Sequence, residues 1–148
     1  MKCPCKTGGK CVACGYDYEA VVTNRYEFAI PVGIPSQTKL GANTPGRGGG
    51  IYRGYRRRFA RAIAKADLDI PAAKGFRRVF ITRLWGKGKR AYDWGNLVGG
   101  CKPLVDEIVG AGLLVDDRPS ACQIFYDQGK SEDGKDWTSI VLEELPPL

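Results

Sequence analysis

The sequence contains no histidine. Imidazole is the usual proton acceptor near neutral pH, so Ser-His and Cys-His nucleophilic pairs are excluded. Any catalysis falls to carboxylates, lysine, cysteine or a metal ion. Long apolar runs are missing as well. Nowhere do roughly 18 apolar residues follow one another, which excludes a membrane-spanning helix. The opening Met1-Lys2-Cys3-Pro4-Cys5 lacks the apolar stretch of a secretory signal. A soluble intracellular protein without a membrane role is the expectation. Acidic residues are scarce over residues 1–92, where 5 Asp/Glu face 19 Lys/Arg for a net charge of +14.

The shortage reverses further on. Residues 93–148 hold 11 Asp/Glu and 4 Lys/Arg, a net of −7, while the whole chain carries +7. A basic body followed by a carboxylate-rich segment suits a polyanion on one side and a cation site on the other. A basic surface that serves solubility alone is the plainer alternative. With 148 residues, 43% hydrophobic and 26% charged, the chain has the makeup of one globular domain with room for a small appendage.

The appendage is read from cysteine. Four of the 6 cysteines, Cys3, Cys5, Cys11 and Cys14, crowd the N-terminus as C-x-C-x5-C-x2-C. Four thiolates satisfy tetrahedral zinc and leave no open position, so a Zn²⁺ site here is structural. Free thiols, or two disulfides in an oxidising compartment, remain alternatives. Residues 1–20 are therefore set apart as a four-cysteine zinc-binding segment, and residues 21–148 as the main domain. A ribbon that recruits another protein, with the rest as scaffold, is a further reading. Cys101 and Cys122 read as buried small hydrophobes, since neither has a histidine to activate it.

Along the main domain, residues 16–34 alternate as strand material until Pro31 and Pro35 stop it. Residues 35–50 read as a Gly-rich polar loop. Residues 51–66 predict an amphipathic helix, with Tyr52, Tyr55, Phe59, Ile63 and Ala66 at steps of three and four. Its other positions carry Arg53, Arg56, Arg57, Arg58, Arg61 and Lys65. That field attracts phosphates, although a solvated helix face is the plainer meaning of a charge run. Residues 66–75 form a connector, and residues 76–85 a strand with Phe76, Val79 and Ile81 as core positions. The turn at 86–90 is basic through Lys87, Lys89 and Arg90. A helix is expected near 102–111, with Pro103 in its first turn and Gly110 or Gly112 at its end. Strands at 120–127 and 137–143, joined by a polar turn at 129–135, complete an α+β fold: a mixed sheet packed on two helices.

The candidate chemistry lies between Tyr92 and Asp117. Asp93, Asp106, Asp116 and Asp117 supply oxygen ligands of the kind Mg²⁺ takes, and Lys102 can neutralise charge on a phosphodiester. Each acid alone reads as a strand end, a solvated helix position or a turn. As a set, beside the basic half, they point to a site.

The stretch resembles the RusA-like Holliday-junction resolvases, endodeoxyribonucleases of phages and prophages. Their motif runs Asp-x-Asp-Asn, then a lysine, an aspartate one helical turn on, and an Asp-Asp pair. Asp93 and Asn96 match the ends of the first motif, Lys102 and Asp106 keep the four-residue step, and Asp116-Asp117 follow. Phe28-Ala29-Ile30-Pro31 and Ser36 resemble the opening strand and turn, and the arginine-rich helix falls where the family has its first helix. The resemblance spans about residues 25–145. Gly95 stands where the family has its second aspartate, additional residues separate Asn96 from Lys102, and the cysteine cluster lies outside the family core.

The resemblance implies a RusA-like fold and a Mg²⁺-dependent, structure-selective nuclease that cuts four-way junctions and other branched DNA in recombination, repair or phage DNA processing. It implies Asp93, Asp117 and Asp106 as Mg²⁺ ligands and Lys102 as the residue that stabilises transition-state charge. Phosphate contacts come from Arg53, Arg56, Arg57, Arg61, Lys87, Lys89 and Arg90. A homodimer is implied, because two symmetric cuts match a two-fold protein. The implied location is the cytoplasm of a bacterium or a phage-infected host. A non-catalytic protein that binds branched DNA with the same fold is the alternative that Gly95 favours.

Overall fold

A computed structural model describes residues 22–41 and 48–145. The Cys3, Cys5, Cys11 and Cys14 cluster, and with it the 1–20 segment, lies outside the described residues. The chain runs β1 (Asn24–Ile30), α1 (Gln37–Leu40), α2 (Gly48–Lys65), β2 (Arg77–Trp85), α3 (Trp94–Gly100), α4 (Lys102–Gly110), β3 (Cys122–Lys130) and β4 (Trp137–Glu144). One four-stranded sheet has the order β1-β4-β2-β3. β4 is antiparallel to both β1 and β2, whereas β2 and β3 are parallel. The class is α+β with a mixed sheet, as the residue patterns predict. No helix among the described residues is long and apolar enough to cross a membrane.

Sequence periodicity accounts for the main elements. Phe59 and Ile63 of α2 are buried, as are Val79 and Ile81 of β2, and they meet Leu104 and Ile108 of α4 in one core. At roughly 25 cal/mol per Å² of apolar surface, burying side chains of this size is the dominant favourable term in folding. α2 packs on α4. Gly112, at φ +77°, follows α4 in the left-handed conformation that glycine adopts without steric cost.

Several local expectations are corrected. The 35–50 segment is not wholly loop. Ser36 caps α1 by accepting from Lys39 N, Gly41 closes it at φ 66°, and α2 begins at Gly48. The acidic stretch contains a helix, α3, which its glycines conceal from propensity. β3 continues to Lys130, so the last connector begins later than expected. β3 and β4 do not pair with each other, because β2 lies between them. Phe76 is only partly buried, while Arg77, Arg78 and Arg83 of β2 are at most 3% exposed.

The parallel β2–β3 pair dictates where the acidic residues go. Parallel neighbours need a crossover, and residues 86–121 supply it. The chain leaves Trp85 at one end of the sheet and re-enters at Cys122 beside Arg77, at the other end. Asp93 is met early on that route and Asp117 late.

Candidate functional site

Lys102 opens α4, and Asp106 follows one turn later on the same face, as i,i+4 geometry requires. The loop after α4 brings Asp117 to the same point. Lys102 Nζ lies 2.9 Å from Asp106 Oδ1 and 2.7 Å from Asp117 Oδ2. The two carboxylates hold the ammonium firmly protonated, the Asp117 hydrogen bond being the larger contribution. Conversely, Lys102, helped by Asp116, holds the Asp117 carboxyl below the ordinary carboxylate range.

α2 supplies the opposite wall. Tyr52 donates its hydroxyl hydrogen bond to Asp106 Oδ2. Burial, reinforced by the Asp106 bond, pushes the Tyr52 phenol well above its usual value, so it remains a donor. One turn on, Arg56 Nε reaches Glu107 Oε1 at 2.7 Å. Tyr52 and Glu107 therefore belong to this cluster, although the sequence presents Tyr52 as part of an apolar stripe. The signal that could have found it is the i,i+4 spacing of Tyr52 and Arg56.

Asp93 stands outside this contact network. It is the N-cap of α3: Oδ1 accepts from Asn96 N at 2.9 Å and Oδ2 from Asn96 Nδ2 at 2.7 Å. Those two bonds hold its carboxyl below the usual range. Asn96 Oδ1 accepts from Thr38 N and Thr38 Oγ1, at 3.1 and 3.0 Å, which ties α3 to α1. The route to Asp93 is fixed by Gln128. Its Oε1 accepts from Tyr92 N at 3.0 Å and its Nε2 donates to Tyr92 O at 2.7 Å.

Tyr126 lies beside the start of α3. Trp94, 50% exposed, meets it edge-on with ring centres 6.0 Å apart. The Tyr126 hydroxyl is pushed up to about 12, chiefly by burial, with the Asp117 charge adding to the shift and Lys102 opposing it. The start of α3 thus meets the Tyr126 ring, while Lys102 and Asp117 act on its hydroxyl only through their charges. Asp116 turns the other way, toward Arg118 Nε at 2.5 Å. Among the described residues, no group of three or more Cys, Asp or Glu side chains is arranged to hold a metal ion. Lys102, Asp106 and Asp117 are brought together, Asp116 is tied to them through Oδ1, which accepts from Asp117 N at 2.7 Å, and Asp93 is joined to none of them by a side-chain hydrogen bond or ion pair among the contacts described.

The α2 arginines separate into three directions. Arg56 points to α4. Arg58 lies over the Tyr55 ring at 4.9 Å. Arg53, Arg57 and Arg61, spaced by four, form an exposed line on which Arg53 also donates to Gly49 O at 3.2 Å. In the turn after β2, Lys87 and Arg90 are exposed and Lys89 pairs with Asp136. Cys101 and Cys122 are buried, as expected, and burial pushes the Cys101 thiol up to about 12, far from a reactive thiolate.

In comparison with known proteins, the chain matches no family model and no curated protein.

Proposed function

We propose that the protein is a Mg²⁺-dependent, structure-selective endodeoxyribonuclease of RusA-like type, acting on four-way junctions and other branched DNA. The observation that supports it is the meeting of Lys102, Asp106 and Asp117 beneath an arginine-bearing helix. Two carboxylates directed at one point are a hard-oxygen donor set of the number Mg²⁺ takes from protein, the remainder being water and substrate phosphate. Asp106 and Asp117 would hold the ion. Asp93, the third ligand that the resemblance implies, caps α3 and is not grouped with these two carboxylates among the described residues. When bound, Mg²⁺ supplies Lewis-acid charge stabilisation and an activated water.

The chain's own residues do the rest. Lys102, beside both carboxylates, would face the scissile phosphate and balance the charge that develops on it. Tyr52 keeps Asp106 oriented. Arg53, Arg57 and Arg61 track the DNA backbone and read shape rather than base sequence. A homodimer would present two such sites to the two strands to be cut. Structural Zn²⁺ on the N-terminal cysteines belongs to the same proposal.

The non-catalytic alternative, a protein that binds branched DNA without cutting it, has its own supporting observation. Gly95 offers no carboxylate, and Asp93 caps a helix. A labelled junction incubated with purified protein separates the two readings. The nuclease reading expects nicks with Mg²⁺ or Mn²⁺ and none in chelator. Binding without nicks in either metal contradicts it and favours the alternative.

A further inference from the structure

A second cationic site lies on the other side of α2, in a cleft of about 180 Å³ bounded by the 33–35 segment, α1, α2 and the end of β2. Its walls carry four cations, Lys39, Arg58, Arg83 and Lys89, and one carboxylate, Asp136. That carboxylate is already engaged. It pairs with Lys89 and accepts from Gly86 N at 2.7 Å. Arg83 is the unusual member, being 3% exposed. Its guanidinium donates to two neutral acceptors, Arg90 O at 3.0 Å and Gln128 Oε1 at 3.3 Å. It lies 3.4 Å from the centre of the Tyr92 ring. No carboxylate pairs with it among the described residues.

Asp136 acts on Arg83 only through space and is shared with Lys89, so the buried guanidinium is incompletely compensated, which is costly, and an anion taken into the cleft offsets that cost. Both rings in the cleft wall are taken by cations: Tyr92 by Arg83, and Tyr55 by Arg58 at 4.9 Å and Lys39 at 5.7 Å. A stacked base is thereby disfavoured, and a compact oxyanion is preferred. Arginine and lysine together suit phosphate, the first through its planar fork of donors and the second as a point charge.

We propose that this cleft binds a phosphate group, either that of a free phosphate compound or one in a nucleic-acid backbone. It is separate from the Lys102 cluster. Arg56 on one face of α2 serves that cluster, and Arg58 on another serves the cleft. Binding here requires neither metal nor cleavage.

The test is calorimetric titration of the full chain in chelator at low salt, first with inorganic pyrophosphate and then with a short single-stranded DNA. The parent is compared with the K39Q/R58Q double variant, whose substituted side chains are exposed, and with K74Q as a distant control. Loss of two charge-assisted contacts should weaken pyrophosphate binding at least about tenfold in the double variant and leave K74Q unchanged. Weakening of pyrophosphate alone assigns the cleft to a free phosphate compound, and weakening of both probes assigns it to a nucleic-acid backbone. A parent chain that does not bind pyrophosphate, or a double variant that binds it like the parent, overturns the proposal. Neither readout depends on junction cleavage, so failure of the nuclease reading leaves the result interpretable.

Discussion

Arg77 shows how a charged residue is kept in this core. It is 1% exposed, yet its donors reach Leu113 O at 2.9 Å, Pro71 O at 2.8 Å and Glu144 Oε1, which Nε approaches at 3.1 Å. Arg77→Ala removes these bonds and leaves the buried Leu113 carbonyl unpaired. A loss of about 3 kcal/mol in urea unfolding is expected, and a loss within experimental error would show the network to be dispensable. Glu144 carries the pH dependence of the same pair. Arg77, then Asn24, holds its carboxyl below the usual value. The folded chain therefore binds that proton less readily than the unfolded chain. The stabilisation is complete above the ordinary glutamate value and is lost as pH falls through the lowered folded value. Acid titration of thermal stability should show a shallower decline in Glu144→Gln than in the parent, and equal slopes would contradict the linkage. None of this is legible in the sequence, because an arginine in a strand reads as a surface residue. Val79 and Ile81, between such arginines, are legible as core because their apolar character and burial agree.

Among the elements, α2 and α3 show opposite degrees of legibility. In α2, apolar residues at steps of three and four survive a dense arginine background, and the packing of Phe59 and Ile63 follows. In α3 the run Trp94–Gly100 includes Gly95, Gly99 and Gly100, which argue against a helix on intrinsic preference. Tertiary contact overrides that preference. A Cβ at Gly100 would occupy the position of the Pro35 carbonyl, and one at Gly99 would press on Gln37. The glycines allow α3 to approach α1 closely, and the Asn96–Thr38 bonds fix the approach. Gly100→Ala should therefore destabilise the fold by about 1–3 kcal/mol through overpacking. A thermal melt equal to that of the parent would show that α1 yields at no cost. Within the candidate site, the Lys102–Asp106 step is legible as one helical turn. Asp117 joins it only through the crossover loop. Asp93 is instead drawn into capping, a local role its position before α3 determines.

For the molecule as a whole, folding redistributes the charge asymmetry of the sequence. The two halves do not form a purely positive and a purely negative face. Arg56–Glu107, Arg77–Glu144 and Lys89–Asp136 each join a basic residue of the first half to an acid of the second. Exposed positive charge persists on the line of Arg53, Arg57 and Arg61 and around the cleft. That surface carries a quantitative expectation. If Arg57 and Arg61 each contact a DNA phosphate, the R57Q/R61Q variant should bind DNA more weakly whatever its sequence. The slope of log affinity against log salt should fall by about 2. An unchanged slope in a filter-binding or fluorescence titration would remove this stripe from the interface. The strand order is also illegible, since a β3–β4 hairpin is suggested by chain proximity, and only the long-range pairing of β2 separates them.

The central claim is that Lys102, Asp106 and Asp117 act as one catalytic unit on a DNA phosphodiester. The most direct measurement is the single-turnover rate of Mg²⁺-dependent junction cleavage for the parent, D106N, D117N and the D106N/D117N double variant, with junction binding recorded alongside. Residues that act as a unit are non-additive. D117N should abolish cleavage while still binding the junction, and the double variant should be no slower than the slower single variant. A parent that leaves the junction uncut, or a D117N chain that cuts it at the parent rate, contradicts the account.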